Sequence, residues 1–210
     1  MAVDDEMKLR ILTLTRDRMM QAGYSKVTLD ELAEELGISK KTLYKYFSGK
    51  EELALEAVRF NVREIESAFN NIADSALPFS EKINGMMQLI RARIGRVSTV
   101  AIQDMRRHAP QLWAEIERMR RERILKKLEI MIRQAREERV FRPDVDERVL
   151  VRMMLASVDA VANPAAQEEL SLPMQDIMQA IFHILFDGAL TDEARMQTFA
   201  RSDAGHRHHQ

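Results

Sequence analysis

The chain has 210 residues, 46% hydrophobic and 31% charged, with a formal net charge of −1 and no cysteine. That apolar share is ample for a core, and the lack of thiols excludes disulfides and thiolate chemistry. A nearly balanced total charge excludes a chain basic throughout, so any nucleic-acid site must be a local cluster. Only seven glycines and five prolines punctuate a sequence rich in Leu, Met, Ala, Arg and Glu with few alternating stretches, which predicts an all-α fold. The N-terminus lacks a signal-peptide apolar core and no apolar run approaches a membrane span, so a soluble cytoplasmic protein with no membrane partner is expected.

Met1 to Glu6 are expected to be frayed. Leu9, Ile11, Leu12, Thr15 and Met19 then give a mostly apolar side to a helix that Gly23 ends. Thr28 precedes an apolar series with Glu31 three residues on, the spacing of a capping box. Leu29, Leu32, Ala33 and Leu36 follow on one stripe, while Asp30, Glu31, Glu34 and Glu35 face water. Gly37 can stop this helix in the left-handed conformation, and Ser39 can cap the next. In that next helix Leu43 and Phe47 share a face with Ile38 and point inward. Lys41 and Lys45 project from the opposite side, with Thr42 and Tyr44 on the flanks and Lys40 in the first turn, so every polar group is expected to point outward. Two short helices and a tight turn make a helix-turn-helix. From Ser39 to Lys50 the chain carries four lysines, two tyrosines, a threonine and no acid, a composition suited to neutralising phosphates and donating hydroxyls to phosphates or base edges.

The pattern L-A-x-x-L-G-I-S-x-x-T-L-Y-x-Y-F-x-x-K-E-x-L, from Leu32 through Leu53, resembles the DNA-binding domain of the tetracycline-repressor (TetR) family of bacterial regulators. The likeness extends back through Ile11, Leu12, Gly23, Tyr24 and Thr28. Arg18, where the family usually has leucine, and Leu14 and Thr15, where it prefers alanines, depart from the pattern. By matching position, the resemblance implies that Lys40, Lys41 and Tyr44 read bases and that Thr28, Thr42, Lys45, Tyr46 and Lys50 contact phosphates. Ser39, at the start of the same helix, completes the DNA-binding set.

Ser48 can cap a further helix from about Lys50 to Ile72, whose Leu53, Ala57, Phe60, Ile65, Ala68 and Phe69 continue an inward stripe. A helix of that length is expected to carry movement as a rigid body. After a break at Ser75 to Ser80, helices are expected over 80–95 and 97–107, the first with Ile83, Met86, Met87, Ile90 and Ile94 on its apolar face. Pro110 opens one long helix from Gln111 to Glu138, and its basic cluster from Arg118 to Lys127, interleaved with Glu117, Glu122 and Glu129, reads as a solvated face. Asp144 and Asp146 precede a helix holding Val149, Leu150, Met153, Met154, Val158 and Val161, which Pro164 stops. Ser171 and Pro173 open the last helix, where Met174, Ile177, Met178, Ile181, Phe182, Ile184, Leu185 and Phe186 cover more than one stripe. Such a helix needs neighbours on two sides, which predicts a twofold homodimer pairing the last two helices with their copies, a fully buried core helix being the alternative. From Thr191 onward the chain is polar and expected to be loose, and His206, His208 and His209 read as part of that tail. The expected organisation is a three-helix helix-turn-helix domain over 1–50, a larger helical ligand-binding and dimerisation domain over 51–190, and a disordered tail over 191–210.

Enzyme signatures are missing: Gly49-Lys50 has Tyr44 and Glu51 where a phosphate-binding loop needs glycine and Ser/Thr, and Gly37-Ile38-Ser39 lacks the second glycine of a nucleophile elbow. The i, i+4 pairs Asp104/His108 and His183/Asp187 offer two metal ligands each at most. No catalytic residue, metal or cofactor is assigned. Methionine is abundant, 14 in the chain, and its flexible, polarisable side chain suits cavities for apolar ligands. The resemblance implies an inducer pocket, with Met86, Ile90, Met105, Trp113, Ile116 and Met154 as candidates and Asn163 or His108 as polar anchor. The resulting expectation is a homodimeric repressor that binds a palindromic double-stranded DNA operator and is released by a small apolar inducer. An architectural or activating DNA binder without a ligand, and a helical-bundle enzyme, stand as alternatives.

Overall fold

In the computed structural model, which describes residues 2–94, 98–161 and 164–199, the chain is a succession of helices joined by short turns and loops. The elements are α1 Ala2–Ala22, α2 Leu29–Leu36, α3 Lys40–Tyr46, α4 Lys50–Ala73, α5 Phe79–Ile94, α6 Thr99–His108, α7 Pro110–Met119, a π-helical stretch Arg120–Leu125, α8 Lys126–Glu137, α9 Glu147–Val161, α10 Pro164–Leu170, α11 Met174–Ala189 and α12 Asp192–Phe199. Among the described residues there is no strand, only an isolated antiparallel bridge between Phe141 and Leu190.

Two compact units result. The first comprises Met1–Glu66 and Arg96–Arg121, the second Ser67–Gly95 and Glu122–Gln210. The first therefore takes in α6, α7 and most of α4 as well as the helix-turn-helix, whereas sequence reading ends the DNA-binding domain at residue 50. Its core packs Ile11, Leu12 and Met19 of α1 and Leu32 and Ala33 of α2 with Leu43 and Phe47. Leu53, Ala57 and Val62 of α4 and Leu112 and Met119 of α7 complete it. The three departures in α1 are resolved locally, Leu14 by packing partly buried against this core. Thr15 is buried, and its hydroxyl donates to the Ile11 carbonyl one turn back at 2.8 Å, so the polar atom is satisfied within the helix. Arg18 is exposed and reaches Glu35 of α2 with Nε and Nη2 at 2.9 and 2.6 Å, so it needs no place in the core.

In the second unit α9 and α11 pack through Leu150, Met154 and Val158 against Ile177, Ile181 and Phe182, and α5 and α8 add Ile83, Met86, Leu128 and Ile132. Three rings lock this core together: Phe79 meets Phe141 and Phe186 edge-on at 5.3 and 5.7 Å, and the latter two stack at 6.3 Å.

Several boundaries differ from those expected. α1 is helical from Ala2 rather than frayed to Glu6, with Asp4 and Asp5 placed where the helix dipole favours acids. The long helix expected over 111–138 is broken by the π-helical stretch, which a polar run without glycine or proline does not announce. Pro164 opens a helix, a role its fixed φ suits. Residues 192–199 are helical where a loose tail was expected, with the Ala194 amide bonded to the Thr191 hydroxyl and Ala194 packed on the second core. Asn163 and the histidines of the tail lie outside the described residues.

Candidate nucleic-acid interface

The helix-turn-helix is built by its caps. The Thr28 hydroxyl accepts from the Glu31 amide at 3.2 Å and donates to the Glu31 carboxylate at 2.8 Å, starting α2. At the other end Gly37 sits at φ 67°, ψ 31°, and its amide and that of Ile38 bond back to Glu34 and Ala33 at 3.0 and 2.9 Å, the six-residue closure that only a left-handed residue permits. Two residues later Ser39 accepts from the Thr42 amide at 3.0 Å and starts α3. Thr28→Ala leaves the Glu31 amide without its partner and is expected to lower stability by about 1 kcal/mol. A urea-midpoint shift absent from Thr28→Ser is the check.

With both ends fixed, the face of α3 follows. Leu43 is fully buried and Phe47 is 2% exposed, so the opposite side is set outward with Lys41, Tyr44 and Lys45, the tyrosine 48% exposed. Lys40 is also exposed but ion-pairs with Asp30 of α2 at 2.8 Å, and that hydrogen bond holds its pKa above the ordinary lysine value. The Thr42 and Ser39 hydroxyls lie 2.8 Å apart at the start of the helix.

Tyr46 and Lys50, the other phosphate candidates, each have a partner within the first unit. The Tyr46 hydroxyl donates to Asp4 of α1 at 2.6 Å, and the carboxylate raises the phenol pKa. Lys50 lies back across the Tyr24 ring, with Nζ 4.4 Å from its centroid and 3.3 Å from the Ser25 carbonyl. Burial lowers its pKa, while the negative charges of Asp104 and Glu31 act the other way. Of the acids that engage these groups, Asp4 and Asp30 were not singled out as site residues from sequence, and Asp104 was weighed only as a metal ligand with His108. No periodic spacing links them to α3, and Asp104 stands 79 residues from Ser25, its hydrogen-bond partner.

The ligand candidates fall in both units. Met86, Ile90 and Met154 belong to the second unit's core, and Met105 and Ile116 pack on the first unit's core. Trp113, also in the first unit, has the Arg106 guanidinium 5.8 Å above its ring. His108 of the first unit faces Asp104 at 3.0 Å rather than standing as a free polar anchor. Among the described residues no three His, Asp or Glu side chains group to hold a metal, and no helix is long and apolar enough to cross a membrane.

A capped helix-turn-helix whose second helix buries one side and offers lysine and tyrosine on the other defines a DNA-binding transcription regulator. Residues 11–57 match the model of the family described as bacterial regulatory proteins, tetR family. It is similar to the uncharacterized HTH-type transcriptional regulator YvaF of Bacillus subtilis (strain 168), 23% identical over 188 residues that cover 89% of this chain and 97% of that one. It is also similar to the nucleoid occlusion factor SlmA of Vibrio vulnificus (strain YJ016), 28% identical over 145 residues covering 67% of this chain and 74% of that one. Its fold matches the crystal structure of the transcriptional regulator FadR from Bacillus subtilis in complex with stearoyl-CoA. There the TM-score is 0.61 at 15% identity, covering 86% of this chain and 98% of that chain.

Proposed function

We propose that the protein is a homodimeric repressor whose two α3 helices dock in successive major grooves of a palindromic operator, and that a small apolar-tailed ligand releases it. The observation that carries this reading is the division of α3 into a buried side, Leu43 with Phe47 behind it, and an exposed side bearing Lys41, Tyr44 and Lys45. Such a rod fits a groove about 12 Å wide, with lysines for phosphates and a ring with a hydroxyl for base edges.

The dimer is supported by the apolar face of α9 and α11 that the second unit leaves uncovered. Val149 and Met153 are 54% and 52% exposed, Ala156 and Ala160 continue their line at i+7 and i+11, and Ile184 of α11 is 70% exposed. A surface of this kind on helices already packed together suits a self-complementary pairing about a twofold axis. A twofold regulator must hold its recognition helices about 34–36 Å apart to meet one face of the duplex. A ligand that binds better to a form with another separation lowers operator occupancy by its difference in affinity for the two forms. The apolar tail is proposed from the relative crystallised with stearoyl-CoA and from the buried methionines Met86, Met131, Met154, Met174 and Met178 of the second unit, which can yield to an elongated hydrophobic chain.

Selection of bound duplexes from a random pool tests the core of this reading. An inverted repeat with half-sites one turn apart is the expected result, and a pool that never enriches removes it. On the selected duplex, Lys45→Ala is expected to weaken binding to all sequences alike and to lower the salt slope by about 0.9. Tyr44→Ala is expected to narrow the gap between selected and scrambled duplexes instead. Equal salt slopes for wild type and Lys45→Ala would count against the phosphate role.

A further inference from the structure

We propose that Asp104 of α6 is a positioning residue of the reading head, clamping the turn between α1 and α2 so that Lys50 and the start of α2 are held in register for DNA. The proposal rests on the DNA-binding reading above and adds to it the device that fixes the head to α6. The Asp104 side chain is only 12% exposed, yet it is fully engaged. It accepts from the Ser25 amide at 2.7 Å and from the Ser25 hydroxyl, and it faces His108 Nδ1 at 3.0 Å. Burial alone would raise its pKa, but the two bonds from Ser25 and the neighbouring His108 outweigh that and hold it below the ordinary aspartate value.

Two further observations mark the contact as a built one. Gly23 has φ +94°, and a Cβ added there would lie 2.7 Å from an Asp104 carboxylate oxygen and 2.8 Å from its Cβ and Cγ. Glycine is therefore needed both for the backbone and for the approach of the carboxylate. Six residues earlier on the α6 side, the Ser98 amide and hydroxyl donate to the Met20 and Gln21 carbonyls, each at 3.1 Å, tying the start of α6 to the last turn of α1.

The consequence lies on the far side of Ser25. Its carbonyl accepts from Lys50 Nζ at 3.3 Å, the adjacent Tyr24 ring carries the same ammonium, and two residues on, Val27 is buried ahead of the Thr28 cap. One residue is thus gripped by α6 through its amide and hydroxyl and supports a candidate phosphate contact through its carbonyl. Loosening the grip frees the turn, the lysine and the entry to α2 together.

The test compares Asp104→Ala, which deletes the clamp, with Asp104→Asn, whose carbonyl can still accept from the Ser25 amide and whose amide can donate to the Ser25 hydroxyl. Each variant is titrated against the duplex selected by the wild-type chain, beside a scrambled duplex. Amide exchange at Ser25 and in α2 and α3 gives a readout independent of DNA. Asp104→Ala is expected to bind the selected duplex about ten- to a hundredfold more weakly, as loss of two part-buried hydrogen bonds predicts. Its Ser25 amide is expected to exchange faster while α2 and α3 stay protected, and Asp104→Asn should restore both within about threefold. Unchanged affinity for folded Asp104→Ala overturns the proposal, and so does equal loss in both variants, since charge rather than placement would then be acting. A wild-type chain that holds no duplex at low salt removes the reading head itself and the clamp's purpose with it, whatever the exchange rates.

Discussion

Phe47→Ala is expected to lower the stability of the first unit by about 3–5 kcal/mol, a large part of the 5–15 kcal/mol typical of a whole domain. Phe47 is 2% exposed, ends α3 with an amide bonded to the Leu43 carbonyl at 3.2 Å, and lies under the Lys8 ammonium at 5.8 Å. Removing the ring empties a volume bordered by α1, α2 and α4, and a seven-residue helix cannot hold itself without that packing. Denaturant unfolding should show a lowered midpoint, with duplex binding lost above it. A midpoint moved by less than about 1 kcal/mol would mean that the pocket recloses and that α3 depends less on its inner face than its burial implies.

Ile184→Asp acts on the opposite property, association rather than folding. Ile184 is 70% exposed, so a charge there leaves the core of the second unit untouched. Buried in a symmetric interface, the same aspartate would face its copy or a neighbouring apolar side chain and lose its hydration. Sedimentation is expected to give a 24.3 kDa species in place of a pair. Operator affinity should fall by about a hundredfold or more, because each reading head then binds without its tethered twin. A wild-type chain that already sediments as one copy, or a variant that still pairs, would place the exposed stripe of α9 and α11 in some other role.

The reading head was legible because its signals are local. Thr28, Glu31, Gly37 and Ser39 fix helix ends within a few residues of themselves, and Leu43 and Phe47 fix the inner face by spacing alone. What escaped was set by contacts between distant parts of the chain. α6 and α7 join the first unit's core around Ala109, Leu112 and Met119, too few apolar residues to show in their own spacing which part of the chain they pack on. Lys50 was assigned to phosphates by resemblance, and its long side chain lies over Tyr24, a ring 26 residues away that no local spacing connects to it. The π-helical stretch and α12 were missed for a related reason. Neither carries a glycine, a proline or an apolar stripe strong enough to outweigh a polar composition.

The carboxylates paired with Lys40 and Tyr46 bear on how any ionic-strength titration of this protein should be interpreted. A lysine that leaves Asp30 for a phosphate exchanges one anion for another and uncovers an acid beside the duplex. Fewer condensed cations are then set free than the number of groups touching the backbone. Counting charges from the slope will accordingly fall short of counting contacts in a complex, and neutralising Asp30 should close part of that gap.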